Sequence, residues 1–224
     1  MRRGNTWRKA VTDFFIGHLA FHPVMRWMAW LGVVPALFFP LLAGAQDSLR
    51  WVTNYYSITG STLGEIRQSL LQSRPWRIQS TVDAMTDWRI EWQSTVTPSN
   101  GACRCDSFAT KTTITNTLPG WRPPTNAPPA LTNAWVRYFK ALAEHEAGHA
   151  QLALAAAAEL HQRIGDLGEA RDCPAMKKKI NDLARQVLDD YRKRDKEYDQ
   201  RTAHGVKQGA VLRLSRPQRE GKRE

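Results

Sequence analysis

The sequence predicts an α+β fold in which a small sheet comes first and two long helices follow. Two patterns indicate this order. Polar and apolar residues alternate in separate runs between residues 51 and 118, as in strands with one buried face. From residue 131 onward, apolar residues recur at three- and four-residue spacing, as in amphipathic helices. We therefore expect a small antiparallel or mixed sheet with one helix, then a long helix and a C-terminal helix.

The first 45 residues have the pattern of an export signal. The apolar run Trp27–Leu42 follows Arg26 and precedes the small residues Ala43-Gly44-Ala45. This order predicts cleavage after residue 45, with Met25 as an alternative start of the chain. The run is short for a membrane span and contains two prolines, so we expect an exported protein, periplasmic or extracellular, without a stable membrane span. An uncleaved signal anchor is the alternative.

Cleavage would leave one domain, residues 46–210, followed by a basic tail, residues 211–224, that we expect to be disordered. The whole chain has a net charge of +11, and its first 45 residues carry five Arg or Lys and one Asp, which leaves 11 − 4 = +7. A basic surface suits acidic partners, but the sequence contains no nucleic-acid-binding motif. We interpret the charge as solvated helix faces and expect no nucleic-acid partner.

The sheet region begins with a predicted strand, Trp51–Thr59, which Gly60 ends. Thr62 and Glu65 have the spacing of a capping box and predict the start of a short helix. Pro75 ends that helix. The pattern therefore predicts one strand and one helix before the rest of the sheet.

Two further strands are predicted at Trp88–Gln93 and Phe108–Leu118, because both segments alternate and the second is rich in threonine. The composition of Pro98–Gly101 is typical of a turn. These two strands are therefore expected to be neighbours in the sheet.

A proline-rich connector leads from the sheet to the first long helix, Leu131 to about Ile164. Thr132 or Asn133 is its predicted N-cap, and two glycines soon after residue 164 end it. The C-terminal helix begins after Cys173 and is predicted to end near Tyr198.

The first long helix contains the HExxH motif His145-Glu146-Ala147-Gly148-His149. Residues four apart lie on one face of a helix, so both imidazoles can bind one Zn²⁺ with Glu146 beside it. Zinc lowers the pKa of a bound water, and a carboxylate at this position takes the proton. The apolar stripe of the helix passes through both histidines, so they are predicted to face the core; the alternative is a histidine pair satisfied by hydrogen bonds alone. The motif predicts a zinc hydrolase with Glu146 as its catalytic base.

Several short motifs resemble those of a bacterial family of predicted secreted zinc-dependent proteases, formerly a domain of unknown function. In chain order they are Tyr55-Tyr56-x-Ile58-x-Gly60, Trp88-x-Ile90-x-Trp92, Leu118-Pro119-x-Trp121, Trp135 ahead of the HExxH motif, and Tyr198-Asp199-x-x-Thr202-x-His204-Gly205. They span about residues 51–210, and the resemblance implies a zinc peptidase-like domain. Sheet, HExxH helix and C-terminal helix also follow the order of zincin-type metallopeptidases, in which the substrate lies extended along a sheet edge.

The motif supplies two zinc ligands, so a third must come from elsewhere in the chain. Glu159 lies about 15 Å further along the helix and His161 further still, too far to share one ion. The candidates are His204 and Asp199. We favour His204, because imidazole suits zinc and Gly205 permits a tight turn beside it. Asp199 would then orient a ligand, or the two roles are exchanged.

Tyr198 is a candidate donor to the developing oxyanion; the alternative is a tyrosine packed at the end of the helix. The leading functional hypothesis is an exported zinc metallopeptidase that hydrolyses peptide bonds in a peptide or protein substrate. One alternative is a non-catalytic envelope or binding module with a structural zinc. The other is a zinc amidase that acts on cell-wall peptides.

The chain has three cysteines, Cys103, Cys105 and Cys173. In an oxidising compartment a disulfide between Cys173 and one of the other two is expected. Cys103 and Cys105 are a poor pair, since a single spacer residue in a strand points both side chains the same way. The sequence leaves open which of the two is the partner.

Overall fold

The structure is a computed structural model that describes residues 46–76 and 82–214. The predicted signal segment, residues 1–45, lies outside the described residues. The elements in chain order are β1 Ser48–Ile58, α1 Leu63–Ser73, β2 Met85–Ser99, β3 Ala102–Trp121, α2 Pro129–Gly165, α3 Cys173–Thr202 and a short 3₁₀ helix Val206–Gln208. The predicted α+β class is confirmed.

The strands of the described chain form one mixed sheet in the order β1-β3-β2. β1 runs parallel to β3, and β2 runs antiparallel to it. Asn100 and Gly101 join β2 to β3 with φ of 48° and 82°, the left-handed values of the two-residue hairpin turn that Asn-Gly sequences favour. The turn predicted at Pro98–Gly101 is confirmed. Both strands are longer than predicted, because their pairing continues almost to the turn.

α1 begins with the predicted capping box. Thr62 Oγ1 accepts a hydrogen bond from the backbone N–H of Glu65 at 3.2 Å, and Glu65 Oε2 accepts one from the N–H of Thr62 at 3.3 Å. The face of α1 that carries Ile66 and Leu70 is buried in the core. The helix predicted between the first two strands is therefore confirmed.

The start of α2 differs from the prediction. The helix begins at Pro129, with Pro128 as its N-cap and no side-chain hydrogen bond at the cap. The prediction of Thr132 or Asn133 as the N-cap is therefore wrong, since both residues lie inside the helix. Proline suits the first helical position, because its fixed φ is already helical and its missing N–H needs no partner there.

α3 continues to Thr202, one turn beyond the predicted end near Tyr198. The sequence after Tyr198 has little to bury, but Thr202 Oγ1 donates a hydrogen bond back to the carbonyl of Tyr198 at 2.7 Å. The left-handed residue Ala203 then ends the helix. The additional turn matters because it carries Asp199.

The hydrophobic residues pack in two main clusters along α2. The first joins α1, the end of β1 and the N-terminal half of α2, and includes Ile66 and Tyr138. The second joins the C-terminal half of α2 to α3, and includes Leu160 and Ile180. The HExxH motif lies on α2 between these two clusters.

A disulfide joins Cys103, at the start of β3, to Cys173, at the start of α3, with a Cα–Cα distance of 5.0 Å. Cys105 is a free thiol. Next to the disulfide, Cys103 and Ala170 exchange two backbone hydrogen bonds of 2.8 Å. The predicted disulfide of Cys173 is thus confirmed, with Cys103 as the partner.

Packing continues beyond residue 210, where the tail was predicted to begin. Leu212 is buried in the first cluster, and its carbonyl accepts a hydrogen bond of 2.8 Å from the Arg67 guanidinium. Residues 215–224 lie outside the described residues. No helix within residues 46–76 and 82–214 combines the length and the apolar content needed to cross a membrane.

Candidate metal centre

α2 presents both histidines of the HExxH motif on its buried face. His145 is 2% and His149 is 5% exposed, as the apolar stripe predicted. The Nε2 atoms of the two rings lie 3.3 Å apart. One turn of helix therefore brings two possible ligand atoms to the same point.

Asp199, on the last turn of α3, brings a third possible ligand to that point. Its Oδ1 lies 3.1 Å from Nε2 of His145 and 3.2 Å from Nε2 of His149. His145, His149 and Asp199 thus form a group that could hold a metal ion. In a tetrahedral site with bonds of about 2.0–2.1 Å, neighbouring ligand atoms are about 3.3 Å apart. The three observed distances fit such a site.

A hydrogen-bond acceptor lies on the far side of each histidine ring. Nδ1 of His149 is 2.8 Å from Oδ1 of Asp195, and Nδ1 of His145 is 2.9 Å from Oε1 of Gln208. With the protons at Nδ1, both Nε2 lone pairs point towards the Asp199 oxygen. In these tautomers a cation held between the three atoms would be attracted by all of them, whereas a protonated Nε2 would donate to Asp199 instead.

The pKa values of the two histidines are shifted in opposite directions. Burial lowers the pKa of His145, and the hydrogen bond with Gln208 offsets only part of the effect. Burial also disfavours protonation of His149, but the hydrogen bond to Asp195 and its charge outweigh this and raise the pKa of His149. His145 therefore favours its neutral form, which is the form that ligates metals.

Glu146 is 3% exposed and lies beside the two histidines. Its Oε2 accepts a hydrogen bond of 2.6 Å from Thr86 Oγ1 on β2. Burial raises the pKa of Glu146, and the hydrogen bond from Thr86 acts in the opposite direction. A buried carboxylate with a raised pKa next to a possible metal site has the properties of a general base.

His204 contacts the centre from its rim. Its Nδ1 lies 3.1 Å from Oδ1 of Asp199, and its side chain is 50% exposed. It does not belong to the three-residue group. His204 and Ala203 both have a left-handed φ of 50°, and Gly205 follows with 80°. Left-handed backbone is unfavourable for residues other than glycine, by about 1–3 kcal/mol each, and persists where the surrounding structure enforces it.

Tyr198 lies against the motif helix. Its ring stacks on His145, with 5.0 Å between centroids and 12° between planes, and its hydroxyl donates to the carbonyl of His145 at 3.3 Å.

The cleft in front of the centre has a volume of about 220 Å³ and is lined by Val82, Asp83, Ala84, Met85, Thr86, Leu142, His145, Glu146, His149, Asp195, Asp199 and His204. Tyr198 is not among these residues, so its hydroxyl contacts the helix rather than the cleft.

The structure thus brings the candidates His145, Glu146, His149 and Asp199 together, with His204 at the rim. Three supporting residues were not recognised in the sequence. Asp195 could have been found, because it precedes Asp199 by one helical turn and so lies on the same face. Thr86 and Gln208 carry no comparable signal.

The chain matches the model of a bacterial family described as a protein of unknown function, DUF922, over residues 53–205. No match was found among curated proteins or among solved structures. The matched range covers more than half of the chain, including the motif helix, Asp199 and His204. The chain therefore belongs to the bacterial DUF922 family.

Proposed function

We propose that this protein is an exported zinc-dependent metallopeptidase of the zincin type. The observation that carries the proposal is the triangle of His145 Nε2, His149 Nε2 and Asp199 Oδ1, with sides of 3.1–3.3 Å, beside the buried carboxylate of Glu146. These donors fit zinc, which takes imidazole and carboxylate ligands. When bound, zinc would act as a Lewis acid towards a substrate carbonyl and make a water molecule more acidic.

Asp199, rather than His204, is the third ligand in this proposal. Asp199 contacts both motif histidines, whereas His204 contacts only Asp199 among the three and is half exposed. The roles considered from the sequence are thus exchanged. A metal site with two histidines of the motif and one carboxylate keeps a position open, as hydrolytic zinc sites require.

Glu146 is the proton acceptor in this mechanism. Thr86 holds one carboxylate oxygen through its hydroxyl, and burial keeps the proton affinity of the carboxylate high. Glu146 takes a proton from the attacking water and passes it to the leaving amine. The first residues of β2 line the cleft, so an extended peptide lying along this edge of the sheet would bring its carbonyl to the centre.

A structural zinc site is the alternative from another class. Such a site is closed by four protein ligands, and His204 is the residue near enough to Asp199 to be considered as the fourth. The open cleft and the buried Glu146 favour catalysis, since a structural site needs no base. Export is supported by the signal pattern and by the disulfide.

The test measures zinc content and turnover of a peptide library, with cell-wall peptides as a second substrate set. The unaltered protein should hold about one zinc per chain. Glu146→Gln should keep its zinc and lose turnover by about 10²–10⁴-fold, as expected for a lost general base. Glu144→Gln is the matched control, because Glu144 is a mostly exposed carboxylate on the same helix; it should change neither quantity.

Two outcomes would contradict the proposal. Full zinc occupancy in His145→Ala would refute the site, and normal turnover in Glu146→Gln would refute the mechanism. The third ligand is tested separately. Asp199→Ala should lose the metal, whereas His204→Ala should retain it, and the opposite result would make His204 the ligand.

A further inference from the structure

We propose that Gln208 and Tyr198 position the His145 ring as a zinc ligand, and that residue 148 is glycine because Tyr198 occupies the space of its side chain. The proposal rests on the zinc site of the proposed function but not on peptide hydrolysis. None of the three residues would bind metal or substrate. They are positioning residues, which act through His145.

Gln208 fixes the tautomer of His145. Its Oε1 is 2.9 Å from Nδ1 of His145 and acts as an acceptor there, which keeps the proton on Nδ1 and leaves Nε2 free to bind a metal. Gln208 is exposed and belongs to the short 3₁₀ helix that follows the left-handed turn. The turn itself fits tightly, since a Cβ at Gly205 would lie 3.0 Å from Cγ of His145. The left-handed residues of this turn thus bring Gln208 back to His145.

Tyr198 contacts the face of the His145 ring. It stacks on His145 at 12° and meets His149 edge-on at 88°, with 5.0 Å between centroids in both cases. The amide of Gln208 donates to the Tyr198 hydroxyl at 3.1 Å, and that hydroxyl donates to the His145 carbonyl at 3.3 Å. Gln208, Tyr198 and His145 are thus joined in a closed set of contacts that restricts both the ring plane and its rotation.

Gly148 makes this contact possible. A Cβ at this position would lie 2.2 Å from the Tyr198 hydroxyl oxygen and 2.4 Å from Cζ, closer than non-bonded atoms approach. Glycine inside a helix is unfavourable by about 1 kcal/mol relative to alanine, so its presence within the motif needs a reason. The reason we assign is the space that the Tyr198 phenol fills.

The experiment measures zinc affinity by competition with a chelator, and the visible spectrum of the cobalt-substituted protein. Gln208→Leu removes the acceptor and should weaken zinc by about 10–100-fold, the range found for partners of metal-bound histidines. Gln208→Glu keeps an acceptor and should restore affinity. Lys207→Met is the control, since Lys207 is an exposed neighbour in the same short helix. Gln208→Leu should lower the unfolding midpoint of the metal-free protein slightly, because it leaves the N–H of the buried His145 ring without its acceptor. Gln208→Glu and Lys207→Met should lower it less.

Gly148 and Tyr198 are tested together. Gly148→Ala should displace the phenol, weaken zinc and lower stability. In the double variant Gly148→Ala with Tyr198→Ala the clash is gone, so part of the stability should return while zinc binding stays weak. If the double variant instead binds zinc as tightly as the unaltered protein, Tyr198 has no positioning role.

The metal-free protein gives an independent measurement. ¹⁵N NMR of the histidine rings should show the proton of His145 on Nδ1, and Gln208→Leu should shift the tautomer equilibrium. An unchanged tautomer together with unchanged zinc affinity and cobalt spectrum in Gln208→Leu would overturn this inference while the proposed function stands. If the unaltered protein binds no zinc, the proposed function fails, and the tautomer measurement still decides whether Gln208 orients the ring.

Discussion

Removing the disulfide between Cys103 and Cys173 should destabilise the protein substantially. The two residues are 70 positions apart in the sequence, so the bond restricts a long loop in the unfolded chain. Cys103 is fully buried, and its two backbone hydrogen bonds to Ala170 do not depend on the disulfide. The reduced protein can therefore keep the same native contacts, and the main effect should come from the unfolded state.

The magnitude follows from the entropy of loop closure. For a loop of this length the entropy lost by the unfolded chain is about 15 cal/mol/K, which is about 4.4 kcal/mol at 25 °C. Native disulfides of small exported domains typically contribute about 2–5 kcal/mol. We expect Cys173→Ser to lower the free energy of unfolding by an amount within that range.

The assay is urea denaturation without reductant, followed by fluorescence. Cys105→Ser is the matched control, because Cys105 is a half-buried free thiol on the same strand, and it should change the free energy of unfolding much less. Thiol titration of the unfolded, unreduced protein should find one free thiol per chain, Cys105. If Cys173→Ser and Cys105→Ser are equally stable, or if three thiols titrate, the reasoning is refuted.

Two further predictions concern buried polar groups. Burial and the nearby Asp83 raise the pKa of Tyr138 far above its ordinary value. Above about pH 10 this tyrosine therefore ionises only in the unfolded chain, and its contribution should lower the free energy of unfolding by up to about 1.4 kcal/mol per pH unit. Tyr138→Phe should be less stable at pH 8, because it loses the 2.7 Å hydrogen bond to Asp83, but should lose less stability between pH 10 and 11.5 in urea titrations. Asp195→Asn removes the charge that holds Nδ1 of His149 and should weaken zinc by about 10–100-fold in the chelator competition.

Each of these two predictions has a control. Tyr55→Phe changes an exposed tyrosine and should leave the alkaline slope unaltered; equal slopes for Tyr138→Phe and the unaltered protein would contradict the first. Asp189→Asn removes an exposed carboxylate from the same helix and should leave zinc affinity unaltered. A tightly bound zinc in Asp195→Asn would show that Asp195 does not support His149.

The parts of the fold that the sequence predicted have local causes. The Asn-Gly turn requires left-handed backbone that few other residues adopt. The capping box of Thr62 and Glu65 uses atoms three residues apart. The burial of both motif histidines follows from the apolar spacing of a single helix. Each of these features depends on neighbouring residues alone.

The parts that were missed depend on contacts between distant segments. α3 continues to Thr202, and Asp199 of its last turn contacts both motif histidines of α2, although the sequence of this turn is mostly polar. His204 lies on the left-handed turn that follows residue 202, and this turn places its ring next to Asp199. Gln208 reaches His145 only after that turn. No periodic pattern in the sequence predicts these contacts.

The place of the centre between the two core clusters has a thermodynamic consequence. His145 and His149 belong to α2, whose N-terminal half packs in the first cluster, whereas Asp199 belongs to α3, which packs in the second. An ion bound to all three would stabilise the folded state by linkage, by about 4 kcal/mol when free zinc exceeds the dissociation constant a thousandfold. Local opening between α2 and α3 would then require release of the metal, so hydrogen exchange in α3 should report zinc occupancy as directly as it reports packing.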